Sequence, residues 1–177
     1  PYLAGARSHG RPHMTLEGEA ILYSGGNYDL TLALSRAGIL PLFWIACAVV
    51  WWWARRSFGT LQAVAAVFLF SFLPAVLAHA GLSTTDMALT AFLGAAFVAG
   101  WAWLERPTLG RSALFGATAA LAVLSKFSTL LFLPVTAATY QASAAAVRPP
   151  WREVARAAYR RLLPLAAAVL VACLVIW

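Results

Sequence analysis

The sequence predicts an all-α fold, a polytopic transmembrane helical bundle. Three observations carry that prediction. Hydrophobic residues make up 62% of the chain and charged residues 11%, with a mean hydropathy of +0.77; a soluble domain holds about 45–50% apolar and about 25% charged residues. The apolar residues gather into long runs. No charged side chain occurs between Arg56 and Asp86, and a helix crosses the hydrocarbon core with about 20 such residues. The arginines collect at the ends of these runs, as Arg55, Arg56 and Arg106 do. The net charge of +7 follows from that placement and gives no ground for a nucleic-acid partner. Cys47 and Cys173 lie inside apolar runs and read as small buried hydrophobes, not as a disulfide or metal pair. Pro1 opens the chain and Trp177 closes it within an apolar run, so the sequence reads as a fragment.

Residues 1–35 are polar and turn-rich, with Gly5, Gly10, Pro12, Gly18, Gly25, Gly26 and Asn27. They are expected to form an extracytoplasmic loop segment ahead of a membrane domain at 36–177. The first span is expected at 37–54. Pro41 falls in its first turn, where proline is tolerated, and Arg55 and Arg56 close it. The second span, 61–82, contains Pro74 and should kink there. A short turn leads to the third span, 87–104, which stops at Glu105, Arg106 and Pro107.

The stretch 112–143 reads either as one long helix or as two short ones broken at Ser125 and Lys126. Charge decides, because short cytoplasmic loops carry the Lys and Arg excess. Arg55, Arg56, Arg106 and Arg111 share a side with Arg148, Arg152, Arg156, Arg160 and Arg161 only if an even number of spans separates Arg111 from Arg148. A hairpin is therefore expected, with 112–124 running outward and 127–143 running back. Arg7, Arg11, Arg36 and Lys126 then lie outside. Trp151, Val154, Ala155, Ala158 and Tyr159 fall on one helical face, and Arg152, Arg156 and Arg160 on the other. Residues 151–161 are thus expected as a helix lying in the cytoplasmic interface, drawn to anionic lipid. A last span is expected at 162–177. The tryptophans near span ends, Trp44, Trp51, Trp52, Trp53, Trp101 and Trp103, read as a belt of interfacial anchors.

Ionisable groups in or beside spans are costly and mark candidate sites. Four gather on the outer side: Arg36, His79, Asp86 and Lys126. Asp86 opens the third span after Ser83, Thr84 and Thr85, where a helix N-terminus favours a carboxylate. It reads either as the acid of a Ser-x-x-Asp cap or as a group that orients an acceptor, takes a proton or binds a divalent metal. His79 reads as a water-satisfied histidine at headgroup level or as a donor to a phosphate or sugar. Lys126 follows a stretch, 112–124, that covers only about 20 Å as a helix, short of the hydrocarbon core. It therefore either snorkels to the surface or stands in a wet cavity suited to a lipid-linked phosphate. Arg36 is an interfacial anchor or a phosphate contact. Glu17, Glu19 and Asp29 read as solvated loop acids.

The ordered segments Gly26-Asn27-Tyr28-Asp29, Ser35-Arg36-Ala37, Ala54-Arg55-Arg56-Ser57-Phe58-Gly59, Ala78-His79-Ala80, Thr84-Thr85-Asp86 and Leu124-Ser125-Lys126-Phe127-Ser128 form a set. It resembles the dolichyl-phosphate-mannose protein mannosyltransferase superfamily, the C-type membrane glycosyltransferases that include bacterial lipid A aminoarabinose transferases. The resemblance runs from Glu19 to Gln141. It implies part of a C-type glycosyltransferase membrane domain, in a bacterial inner membrane. Such an enzyme moves a sugar from a polyprenyl-phosphate donor to a protein, lipid or glycan acceptor on the extracytoplasmic side. It further implies a catalytic role for Asp86, donor-phosphate binding by Lys126 and Arg36, and a substrate contact from His79. The family's first-loop acid is expected upstream of Pro1, so activity is expected of a longer form. Two other classes remain open on the residues alone. A transporter segment would place its site at the midplane between interrupted helices. A non-catalytic membrane subunit would leave Asp86 and Lys126 in separate surroundings.

Overall fold

Alanine and glycine fill the interior of this chain, and leucine, phenylalanine and tryptophan cover its outside. Ala63, Ala91, Ala96 and Ala122 have no exposed surface, whereas Leu61 and Phe127 are 78% and 81% exposed. Helices in lipid associate through small residues that let backbones approach, since apolar side chains gain nothing by leaving the bilayer. The inverted arrangement, with the composition, identifies an integral membrane protein.

The computed structural model describes residues 8–10, 12–23, 26–82, 84–147 and 151–177, with side chains described for all of these except 14, 140–147 and 151–162. Among the described residues every regular element is helical: α1 (Met14–Tyr23), α2 (Tyr28–Ala37), α3 (Leu40–Phe58), α4 (Thr60–Phe72), α5 (Pro74–Gly81), α6 (Asp86–Glu105), α7 (Leu109–Ser125), α8 (Thr129–Val147) and α9 (Trp151–Ile176). Two stretches among them are long and apolar enough to cross a membrane, Tyr28–Phe58 and Asp86–Glu105. The pair α4 and α5 makes a third if its 63° bend is counted within one span. The remaining apolar helices, Leu109–Ser125, Thr129–Thr139 and Leu163–Ile176, are shorter.

Several expectations are corrected. Residues 1–35 are not all loop, because α1 and the greater part of α2 lie within them. Asp29 in the first turn of α2 and Arg36 in its last match the helix dipole. Span 61–82 is two helices. Leu73 is extended (φ −61°, ψ 127°) and Pro74 opens α5, because proline disfavours the helical conformation in the residue before it. The helix expected at 112–124 begins earlier, at Leu109, since Thr108 caps it by accepting from the Arg111 amide at 3.4 Å. The interfacial helix 151–161 and the span 162–177 are one helix, α9, with Pro164 inside it. A change from amphipathic to wholly apolar alters a helix's surroundings without breaking its backbone bonds.

The packing order is simple. α6 lies against α3 and α7, α3 also against α4, and α7 against α9. Gly59 (φ 100°) turns α3 into α4, a left-handed conformation that glycine adopts without steric cost. Ala46, Met87 and Ala91 form a core under Ile39, Phe43, Phe70, Val76 and Ala80. At the middle of α7, any side chain larger than that of Gly116 would strike the Ala168 carbonyl of α9.

Candidate functional site

Three separate turns deliver the charged groups. Asp86 is the first residue of α6, His79 stands in the last turn of α5, and Lys126 follows the end of α7. Lys126 stops α7 in an extended conformation (φ −161°, ψ 129°). Its amide still donates to the Ala122 carbonyl at 3.1 Å. The buried Thr129 hydroxyl donates to the same carbonyl at 2.9 Å. This double use of Ala122 ties the turn to α7 and fixes where the lysine emerges.

The Lys126 ammonium Nζ donates to Asp86 Oδ1 at 2.8 Å, between residues 40 apart in sequence. His79 Nδ1 stands 3.6 Å from Asp86 Oδ2. The three side chains remain 48%, 33% and 43% exposed for Lys126, Asp86 and His79, so a ligand can reach them. Two further polar atoms, His79 Nδ1 and the Thr84 hydroxyl, are buried beside Asp86. The geometry offers one ammonium, one carboxylate and one imidazole within reach of one another. It suits a ligand that carries negative charge beside an exchangeable proton.

Of the four expected residues the structure brings together Asp86, Lys126 and His79. Arg36 stays outside the cluster: among the described residues no hydrogen bond or ion pair joins it to the other three. It does stand at their end of the bundle. Its carbonyl accepts from the Ile39 amide at 3.0 Å, and Ile39 packs on the core that includes Met87 and Ala80. The Ser-x-x-Asp cap rests on Ser83, which lies outside the described residues; the residue that caps α6 is Thr85, with no side-chain cap bond. As for a divalent metal, His79 and Asp86 make a pair only. No group of three or more His, Cys, Asp or Glu side chains that could hold a metal ion occurs among the described residues.

Sequence reasoning missed a second charged junction at the other end of α6. Arg56 Nη2 donates to both oxygens of Glu105 at 2.6 Å, and Trp101 Nε1 donates to Glu105 Oε1 at 2.9 Å. Nearby, Trp103 Nε1 donates to the Ser112 hydroxyl at 3.0 Å, and Arg111 donates to the Ala102 carbonyl at 2.5 Å. The available signal was a lone acid, Glu105, on the side that the hairpin topology gives to Arg55 and Arg56. These two junctions also fix helix directions: α3 and α6 run parallel, and α7 returns antiparallel to α6.

No curated protein and no solved structure matches the chain. Residues 38–177 match the family model described as dolichyl-phosphate-mannose-protein mannosyltransferase. That match takes in α3 to α9 and with them His79, Asp86 and Lys126. The chain, an integral membrane protein with an all-helical fold, therefore belongs to the dolichyl-phosphate-mannose-protein mannosyltransferase family of membrane glycosyltransferases.

Proposed function

We propose that this chain forms part of the site of an enzyme that moves a sugar from a polyprenyl-phosphate donor to an acceptor at the extracytoplasmic face of the membrane. One observation carries the reading: the 2.8 Å contact between Lys126 and Asp86, which joins a partly exposed cation and carboxylate from two helix ends. A polyprenyl phosphate stays in the bilayer, so its headgroup must meet protein at the interface. There Lys126 exchanges Asp86 for the donor phosphate, and Arg36 supplies a second cation from the same end. The sugar's bond to the phosphate oxygen breaks as the acceptor oxygen or nitrogen bonds to the anomeric carbon. Lys126 stabilises the charge that builds on the departing phosphate. Asp86, released from the lysine, orients the acceptor and takes its proton. His79 donates to the phosphate or a sugar hydroxyl. Protein, lipid and glycan acceptors all offer a suitable nucleophile.

The 63° bend between α4 and α5 also suits a transporter, where interrupted helices build midplane sites. The position of all three charged groups at helix ends favours the transferase. The test is sugar transfer from a polyprenyl-phosphate donor by the intact protein carrying Asp86→Asn or Lys126→Ala. Undiminished transfer in both variants would remove the assignment.

A further inference from the structure

The Arg56 end of the bundle holds a second feature that sugar transfer does not use. A pocket of about 210 Å³ lies between α3 and α6, lined by Trp52, Trp53, Arg56, Ser57, Trp101 and Glu105. Its wall is graded. Arg56, Ser57 and Glu105 occupy the helix ends, and Trp52, Trp53 and Trp101 stand one turn deeper. Trp53 also lines an adjoining apolar groove of about 390 Å³. A charged rim, an aromatic throat and an apolar trough follow one another as headgroup, glycerol and acyl chain do in a phospholipid.

The charge balance selects the headgroup. Among the described residues at this end, Arg55, Arg56, Arg106 and Arg111 face one carboxylate, Glu105. The Glu105 contacts use only Nη2 of Arg56, and its side chain is 50% exposed. Among the described residues its Nε and Nη1 make no such contact, and each can donate singly to a phosphate oxygen; displacing Glu105 from Nη2 would complete a parallel pair. The Arg56 guanidinium lies over the Trp52 ring at 5.5 Å, and Arg55 over Trp51 at 4.8 Å; these contacts steady both cations. Basic pockets between transmembrane helices bind anionic lipid headgroups. We infer that this pocket binds an anionic glycerophospholipid of the adjacent leaflet, its phosphate on Arg56 and Ser57 and one acyl chain laid past Trp53.

The test is native mass spectrometry of the intact chain released from nanodiscs of equal phosphatidylglycerol and phosphatidylcholine. Retained lipid should be phosphatidylglycerol. Retention should fall about tenfold in Arg56→Gln and stay within about twofold in Arg106→Gln, which removes an equal charge outside the pocket. Glu105→Gln should raise retention, because it removes the carboxylate that competes for Arg56. Glu105→Gln breaks the same ion pair as Arg56→Gln, so a folding defect would lower both. Equal retention of the two lipids, equal losses in Arg56→Gln and Arg106→Gln, or a loss in Glu105→Gln would each overturn the site. So would displacement of phosphatidylglycerol by polyprenyl phosphate at equal mole fraction, which would assign the pocket to the donor.

Discussion

Asp86 and Glu105 are the two ends of one helix, and each bridges α6 to another element, yet they are not equivalent. Asp86 sits at the N-terminus, where the helix dipole supports a negative charge, and Glu105 at the C-terminus, where the dipole opposes it. Glu105 accordingly has both oxygens held by Arg56 and one also by Trp101. Asp86 has one oxygen on Lys126 and the other facing His79 at 3.6 Å. The carboxylate at the unfavourable end is saturated by protein. The one at the favourable end keeps helix support for its charge if its cation leaves. On the proposed reading, one junction holds helices together and the other exchanges partners.

The contrast can be broken by experiment, beginning with the largest effect. In the intact protein Asp86→Asn should lower sugar transfer about 10²- to 10⁴-fold, the range of a lost proton-transfer group; a rate within a few-fold of the parent would put the two ends on a par. Lys126→Ala should raise the donor KM about 10- to 100-fold, as expected for a lost charged contact to phosphate, with a smaller change in kcat. The double variant should lose less than the product of the two, since contacting residues do not act additively; independent losses would argue that the contact has no part in catalysis. Gly116→Leu, midway along α7, should cost about 1–3 kcal/mol of stability through overpacking against α9. Thermal unfolding in detergent reads that cost, and an unchanged midpoint would show that α7 and α9 can part freely. Smallest, Glu105→Gln should leave transfer within about twofold, as loss of an exposed ion pair implies. A collapse like that of Asp86→Asn would erase the difference between the ends.

Charge carried more of the reading than hydropathy did. The break at Lys126 was legible because the arginines at 55–56, 106–111 and 148–161 share a side only if the chain turns there, and the break at Pro74 because proline disfavours helix in the residue before it. The meeting of His79, Asp86 and Lys126 at one end followed from the same topology. Residues 14–23 were illegible as helix because Gly18 and the surrounding glycines suggest turns. In the structure Glu17 accepts from the Ser8 hydroxyl and the His9 amide at 2.6 Å, contacts local to the fold that no periodicity encodes. Arg56 and Glu105 lie 49 residues apart, and their pairing depends on the rotation of α3 against α6, which hydropathy does not specify.

The bend at Leu73 has a consequence for hydration. The carbonyls ending α4 and the amides opening α5 no longer meet one another along a continuous helix. Within a membrane, interrupted backbone persists only beside polar protein surface or water. Here the Ser71 hydroxyl donates to the Phe68 carbonyl at 2.9 Å and the Leu73 amide to the Phe70 carbonyl at 3.2 Å, so the chain itself meets part of that demand and only the remaining groups call for water or a neighbouring helix.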